Sequence, residues 1–140
     1  MAKQMYPCLW FDGQANAAAD YYCSIFKNSK IISENPIAVR FELNGFGFMA
    51  LNGGPQYQFT PATSFVIECE TQEEIDFFWE KLGKGGKYDQ CGWLDDKFGV
   101  SWQIVPAVLH KLMEDPVKSP RVIDAFMKMS KFNIETLLNA

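Results

Sequence analysis

The sequence predicts an α+β fold of two βαβββ modules followed by C-terminal helices. One observation is the order of the predicted elements, because a strand, a helix and three strands occur once and then recur. Another is an internal repeat, in which Leu9 and Tyr22 match Val66 and Trp79 at the same spacing. We therefore expect residues 1–140 to form a single domain, with modules at 6–55 and 62–105 and a helical tail at 106–140.

The first module is predicted from a buried strand at 6–12 and an Ala-rich helix at about 14–26. Ala18, Tyr22 and Ile25 recur in that helix at the spacing of one apolar face. Strands follow at Lys30–Glu34, Ile37–Leu43 and Phe46–Leu51. Asn44-Gly45, between the last two, is typical of a two-residue hairpin turn.

The second module begins with a strand predicted at Thr63–Glu70. Thr71 and Glu74 form a capping-box pattern, and Gly83 is expected to end the helix that they begin. Strands are predicted at Lys87–Gln90, Trp93–Asp95 and Val100–Val105. In the tail, we expect helices to begin at Pro106, at a Ser119 cap followed by Pro120, and at an Asn133 cap.

The charge balance of the sequence disfavours two classes of partner. The 13 basic and 17 acidic residues give a net charge of −4, and no segment concentrates Lys or Arg. This disfavours nucleic acids and anionic membrane surfaces, since both require clustered positive charge.

We find no signal-peptide pattern and no apolar run near the roughly 20 residues that span a bilayer. Four scattered cysteines favour reduced thiols in a cytoplasmic protein.

Four segments carry a resemblance to a known family. They are Leu9–Ala15 with Tyr21-Tyr22, Phe48–Pro55, Gly92–Pro106 and Ala125–Phe132. Together they resemble the bacterial PhnB-like family, which is often labelled as a demethylubiquinone methyltransferase domain. That family is similar to the glyoxalase and bleomycin-resistance proteins of the vicinal oxygen chelate superfamily. The resemblance covers essentially the whole chain, and Gly92–Pro106 is its most specific part.

The resemblance implies paired modules whose curved sheets enclose a cup, and it implies a homodimer. In metal-dependent relatives the cup holds a divalent ion on His, Gln and Glu side chains, which activates a chelating substrate. The matching positions here are Gln103, Ser64, Tyr6 or Pro7, and the segment 49–52. None supplies a carboxylate or an imidazole, so we expect no metal site and no cofactor.

Strand alternation predicts which side chains line the cup. Ser64 and Glu68 share one face of their strand, and Ser101 and Gln103 share one face of theirs. The candidate ligand-binding residues are Met49, Ser64, Glu68, Trp93, Ser101 and Gln103. Apolar walls with a few hydrogen-bonding groups suit a small, partly aromatic molecule. The alternative is that these side chains simply fill the cup.

Other polar motifs have structural interpretations. His110, the only histidine, is expected on a surface helix. Asp95 and Asp96 are neighbours in a strand, so they point to opposite faces and we expect a solvated turn. Gly45-Phe46-Gly47 precedes a strand rather than a helix, which gives no support to an S-adenosylmethionine site. We assign no catalytic residue.

Three functional hypotheses follow. The first is a metal-free small-molecule binding protein that uses the cup as its pocket. The second is an enzyme of the metal-dependent glyoxalase or dioxygenase type, or one with an organic cofactor. The third is a structural or regulatory dimer whose cup is filled. The apolar tail residues offer surface for a homodimer: Val122, Phe126, Met129, Phe132 and Leu137.

Overall fold

The computed structural model describes residues 2–140, and its elements follow the predicted order. The strands are β1 (Cys8–Phe11), β2 (Ser29–Glu34), β3 (Ala38–Leu43), β4 (Phe46–Asn52), β5 (Ser64–Cys69), β6 (Lys87–Tyr88), β7 (Trp93–Asp95) and β8 (Ser101–Pro106). The helices are α1 (Ala15–Ile25), α2 (Gln72–Gly83), α3 (Val108–Glu114), α4 (Ser119–Phe126) and α5 (Ile134–Leu138). None of the helices in this part of the chain is long and apolar enough to cross a membrane. Two compact units are present, one ending at Phe59 and the other running from Thr60 to Ala140.

The first unit is a four-stranded sheet with α1 on one face. The strand order is β1-β4-β3-β2, with β1 parallel to β4 and the other pairs antiparallel. The Tyr22 ring of α1 stacks on Phe41 with centroids 6.3 Å apart, and both side chains are fully buried. Asn44 and Gly45 adopt positive φ values of 52° and 83°, which confirms the predicted two-residue hairpin.

The second unit repeats this topology, with sheet order β5-β8-β7-β6 and α2 on one face. The capping box is confirmed, since the Thr71 side chain accepts from the Glu74 amide and the Glu74 carboxylate accepts from the Thr71 amide. Gly83 is the last helical residue rather than a stop after the helix. A Cβ there would collide with the Tyr88 ring, so close packing is the reason for this glycine.

Two predicted helix starts in the tail are wrong. Pro106 is the last residue of β8, where it pairs with Cys69, and α3 begins only at Val108. Ser119 is the first helical residue of α4 and makes no side-chain cap, because the chain is already helical at Lys118. The Asn133 cap of α5 is confirmed, since its side chain accepts from the Thr136 amide at 2.9 Å.

The tail is fastened to the second unit by backbone and side-chain bonds. The Gly92 amide donates to the Ser130 carbonyl at 2.8 Å. The Gln72 side chain donates to the Phe132 carbonyl and accepts from the Ile134 amide, both at 2.9 Å. A Cβ atom on Gly92 would come within 2.6 Å of the Phe132 ring, which is too close for any side chain larger than hydrogen. This glycine therefore admits the aromatic anchor of the tail.

Three apolar tail residues are buried within this same unit: Val122, Phe132 and Leu137. The prediction that they offer surface to a second copy of the chain is therefore wrong. The reason is that the tail folds back onto its own unit, where it is bonded to residues 91–92 and to Gln72 of α2.

The register of the strands corrects one detail of the repeat. Leu9 pairs with Ala50 on the α1 side of its sheet, whereas Val66 pairs with Gln103 on the side away from α2. The structural counterpart of Val66 is therefore Cys8, which pairs with Met49. By the same register the position of Ser64 corresponds to that of Tyr6.

Candidate functional site

The candidate site is the face of the second sheet that is turned away from α2. Leu94, Trp102 and Ile104 are buried on the α2 side, and Tyr88, paired with Leu94, contacts Gly83 of that helix. Alternation places the intervening side chains on the opposite face. Two rows cross it: one is Ser64, Ser101 and Asp95, and the other is Val66, Gln103 and Trp93.

Ser64 and Gln103 are joined directly. The Gln103 Nε2 group donates to the Ser64 Oγ atom at 2.9 Å. The hydroxyl proton of Ser64, the second Nε2 proton of Gln103 and the carbonyl oxygen of Gln103 are not used in this bond, so the pair still offers two donors and an acceptor. Strands β5 and β8 are parallel neighbours, which explains why residues far apart in sequence meet here.

Asp95 joins the same face, which sequence reasoning missed. The Ser101 hydroxyl donates to the Asp95 Oδ1 atom at 2.7 Å, and the two residues are paired across β7 and β8. The signal available in the sequence was alternation, because Asp95 lies two residues after Trp93 on the strand. A carboxylate thus borders the row that contains Ser64.

Asp96 points to the other face, as predicted, but it is not a solvated turn residue. Its side chain is only 3% exposed as part of the buried polar core. Its Oδ1 atom accepts from the amides of Phe98 and Val100, and Oδ2 accepts from the Trp102 indole at 2.9 Å. Sequence reasoning missed this because an indole six residues downstream is the partner that makes burial favourable.

Glu68 lies at the exposed end of the face. Its Oε1 atom is 3.4 Å from Nε2 of His110, which is on α3, and both side chains are largely in solvent. The surface position predicted for His110 is confirmed. A contact this exposed contributes little to stability.

Met49 belongs to the first unit, on the face of its sheet away from α1. It pairs with Cys8 on one side and with Arg40 on the other. Arg40 occupies the position that Trp93 has in the second sheet, since both residues pair with the last strand of their module at equivalent places. Alternation of Arg40 with the buried Val39 and Phe41 was the sequence signal for it.

The donor set at the positions implied by the superfamily does not fit a divalent ion. Ser64 and Gln103 supply a hydroxyl and an amide, and Met49 a thioether. Hard cations require several carboxylate oxygens, and transition metals favour imidazole or thiolate. Within residues 2–140, no group of three or more His, Cys, Asp or Glu side chains is placed to hold a metal.

A separate groove of about 500 Å³ lies in the tail, away from these residues. It is lined by Arg121, Asp124, Ala125, Lys128, Glu135, Thr136, Asn139 and Ala140. Charges of both signs are mixed in this lining, and its apolar side chains are only those of Ala125 and Ala140. Such a surface lacks the character of a small-molecule site.

Two βαβββ units in one chain define the class of protein: the fold is that of the vicinal oxygen chelate superfamily. The family model described as 3-demethylubiquinone-9 3-methyltransferase matches residues 3–105. The chain therefore belongs to this PhnB-like family, which confirms the resemblance seen in the sequence.

Three solved structures illustrate the likeness. A PhnB protein from Bacillus cereus, provisionally described as a 3-demethylubiquinone-9 3-methyltransferase, is 34% identical with a TM-score of 0.69, covering 75% of this chain and 100% of that one. A Pseudomonas aeruginosa protein is 19% identical with a TM-score of 0.62, covering 75% and 98%. The fosfomycin resistance protein FosX from Listeria monocytogenes, solved with Mn(II) and sulfate, is 14% identical with a TM-score of 0.61, covering 81% and 97%. No curated protein matches the chain.

Proposed function

We propose that this protein binds a small molecule on the open face of the second sheet, without a divalent ion. The observation that carries the proposal is the Gln103–Ser64 bond, which replaces metal-type donors by a neutral hydrogen-bonding pair. Trp93, in register beside Gln103, supplies an aromatic wall. Apolar surface with a few oriented polar groups is typical of small-molecule sites.

Exposure favours an available face over a filled one. Val66, at the centre of the face, remains 52% exposed, and Trp93 and Gln103 are only half-buried. A side-chain-filled surface would bury all three, whereas the buried part of this face is at Ser101, in the neighbouring row. Glu68 is proposed as a peripheral contact, and Ser101 as a residue that orients Asp95. Met49 lies in the first unit and is not assigned to this site.

A ligand screen with matched variants tests this function. We expect a small aromatic compound carrying a hydrogen-bonding group to raise the melting temperature, because binding to the native state stabilises it. The change Gln103→Leu should weaken that ligand about tenfold by removing one polar contact. Gln90→Leu, at an exposed position of the same unit, is the matched control and should bind normally.

Two results would contradict the proposal. One is equal binding by wild-type protein and Gln103→Leu, measured by calorimetry. The other is a hit whose chemical-shift changes fall on the α2 side of the sheet.

An enzyme is the second candidate, and the Asp95–Ser101 pair is the observation that favours it. A carboxylate 2.7 Å from a hydroxyl, on the same face as Gln103, could act as a general base toward a bound substrate. We do not propose methyl transfer, because Gly45 serves a hairpin turn before a strand rather than a turn that leads into a helix.

We also propose a homodimer in a bacterial cytoplasm. The tail retains exposed apolar side chains, Val117, Met127 and Leu138, that a second copy could cover. The four cysteines are free, which suits a reducing compartment. Light scattering after size exclusion would give twice the 16.0 kDa mass of one chain.

A further inference from the structure

The first sheet carries a cationic side chain that the proposed site on the second sheet does not use. Arg40 lies in β3, in register with Met49, on the face away from α1. The side chains before and after it, Val39 and Phe41, are fully buried on the α1 side. Arg40 therefore stands on the open face of the first unit, at the place that corresponds to Trp93.

The guanidinium of Arg40 is held in position by the segment that precedes β1. Its Cζ atom lies 4.7 Å from the centroid of the Tyr6 ring, and its Nη2 group donates to Gln4 Oε1 at 3.0 Å. That segment is tied to the sheet, since the Met49 amide donates to the Pro7 carbonyl at 3.0 Å. A planar group fixed in this way loses little freedom when a ligand binds.

Arg40 has no anionic partner within the described residues. No carboxylate of residues 2–140 lies within ion-pair distance of it. Glu42, two positions along the same face, is instead 4.0 Å from Lys30. The Nε atom of Arg40 is buried and makes no hydrogen bond. A buried donor without a partner is unfavourable, so the charge of this guanidinium is only partly satisfied by the residues around it.

We propose that Arg40 anchors an anion site on the open face of the first sheet and binds the carboxylate of a small organic acid. The Nη groups carry further N–H donors besides the one bonded to Gln4. Such donors match the two oxygens of a carboxylate with parallel bonds. Met49, in register beside Arg40, provides apolar surface for the body of the acid. The inference rests on the first unit alone, so it stands whether or not the second sheet binds a ligand.

Side-chain NMR of arginine gives a direct test with benzoate as the probe. The sequence has two arginines, Arg40 and Arg121, so the Nε–Hε region holds two resonances and Arg121 is an internal control. We expect benzoate to shift the Arg40 resonance saturably and to leave Arg121 unchanged. Benzamide, which is similar in shape and uncharged, should cause no shift.

Variants of Arg40 show whether benzoate binding depends on the parallel N–H donors of the guanidinium or only on its positive charge. Arg40→Lys keeps the charge and loses the parallel donors, and Arg40→Met keeps only the apolar stem. Both should bind benzoate about tenfold more weakly or worse by calorimetry, whereas Arg121→Lys should bind as wild type. If Arg40→Met folds poorly, the NMR titration of the wild-type protein still tests whether benzoate binds at Arg40.

Three outcomes would overturn the inference. Both arginine resonances could shift in parallel without saturation, or Arg40→Lys could bind benzoate with wild-type affinity. A saturable Arg40 shift with inorganic phosphate but none with benzoate would refute the assignment to organic acids.

Discussion

The change Phe132→Ala should lower the free energy of unfolding of the second unit by about 3–5 kcal/mol. The Phe132 ring is 2% exposed and fills the space above Gly92, so its removal leaves a cavity where the tail meets the sheet. Because the Phe132 carbonyl also accepts from Gln72, loosening of the tail would weaken that bond as well. Urea unfolding followed by tryptophan fluorescence measures the change.

The matched control for Phe132 is Phe77→Ala. Phe77 is 41% exposed on α2, so its loss should cost about 1 kcal/mol or less. A Phe132→Ala protein as stable as the Phe77→Ala protein would show that the tail is not anchored through this ring.

The second large effect is expected from Asp96→Ala, with a loss of about 3–5 kcal/mol in unfolding free energy. The carboxylate accepts from two backbone amides, of Phe98 and Val100, and from the Trp102 indole. Each buried donor left without an acceptor costs about 1–3 kcal/mol. Thermal and urea unfolding of the purified variant give the measurement.

A graded series sharpens this result. Asp96→Asn keeps an oxygen for the two amides but turns an amino group toward the indole, so it should lie between wild type and Asp96→Ala. Asp124→Ala, on the exposed surface of α4, should change the stability by about 0.5 kcal/mol or less. Equal stability of the Asp96→Ala and Asp124→Ala proteins would contradict the assigned role.

Local sequence patterns predicted the turns and helix caps well, because such features are formed by residues that are close together in the sequence. The Asn44-Gly45 hairpin and the Thr71–Glu74 capping box are both confirmed, and each is complete within four residues. The wrong predictions concern residues whose conformation or burial depends on a partner outside the local sequence pattern. Pro106 remains extended because Cys69 pairs with it, and Asp96 is buried because Trp102 donates to it.

The same distinction applies to the candidate site. Alternation along single strands placed Ser64, Ser101 and Gln103 on one face, and the sheet joins the first and last of them by a hydrogen bond. Alternation could not predict the contact between Asp95 and Ser101, since that contact depends on the register of β7 against β8. Arg40 was missed because its significance lies in contacts with Gln4 and Tyr6, far from it in sequence.

Metal content tests the central claim most directly. Protein purified without an affinity tag would be analysed by mass spectrometry, with a parallel thermal-shift titration of Mn, Ni, Zn and Fe. We predict far less than stoichiometric metal and no saturable rise in melting temperature, because Gln103 and Ser64 are neutral groups bonded to each other and residues 2–140 contain no cluster of metal-binding side chains. Near-stoichiometric metal together with a saturable rise would contradict metal-free binding and would favour the enzyme, with Asp95 as the first residue to substitute.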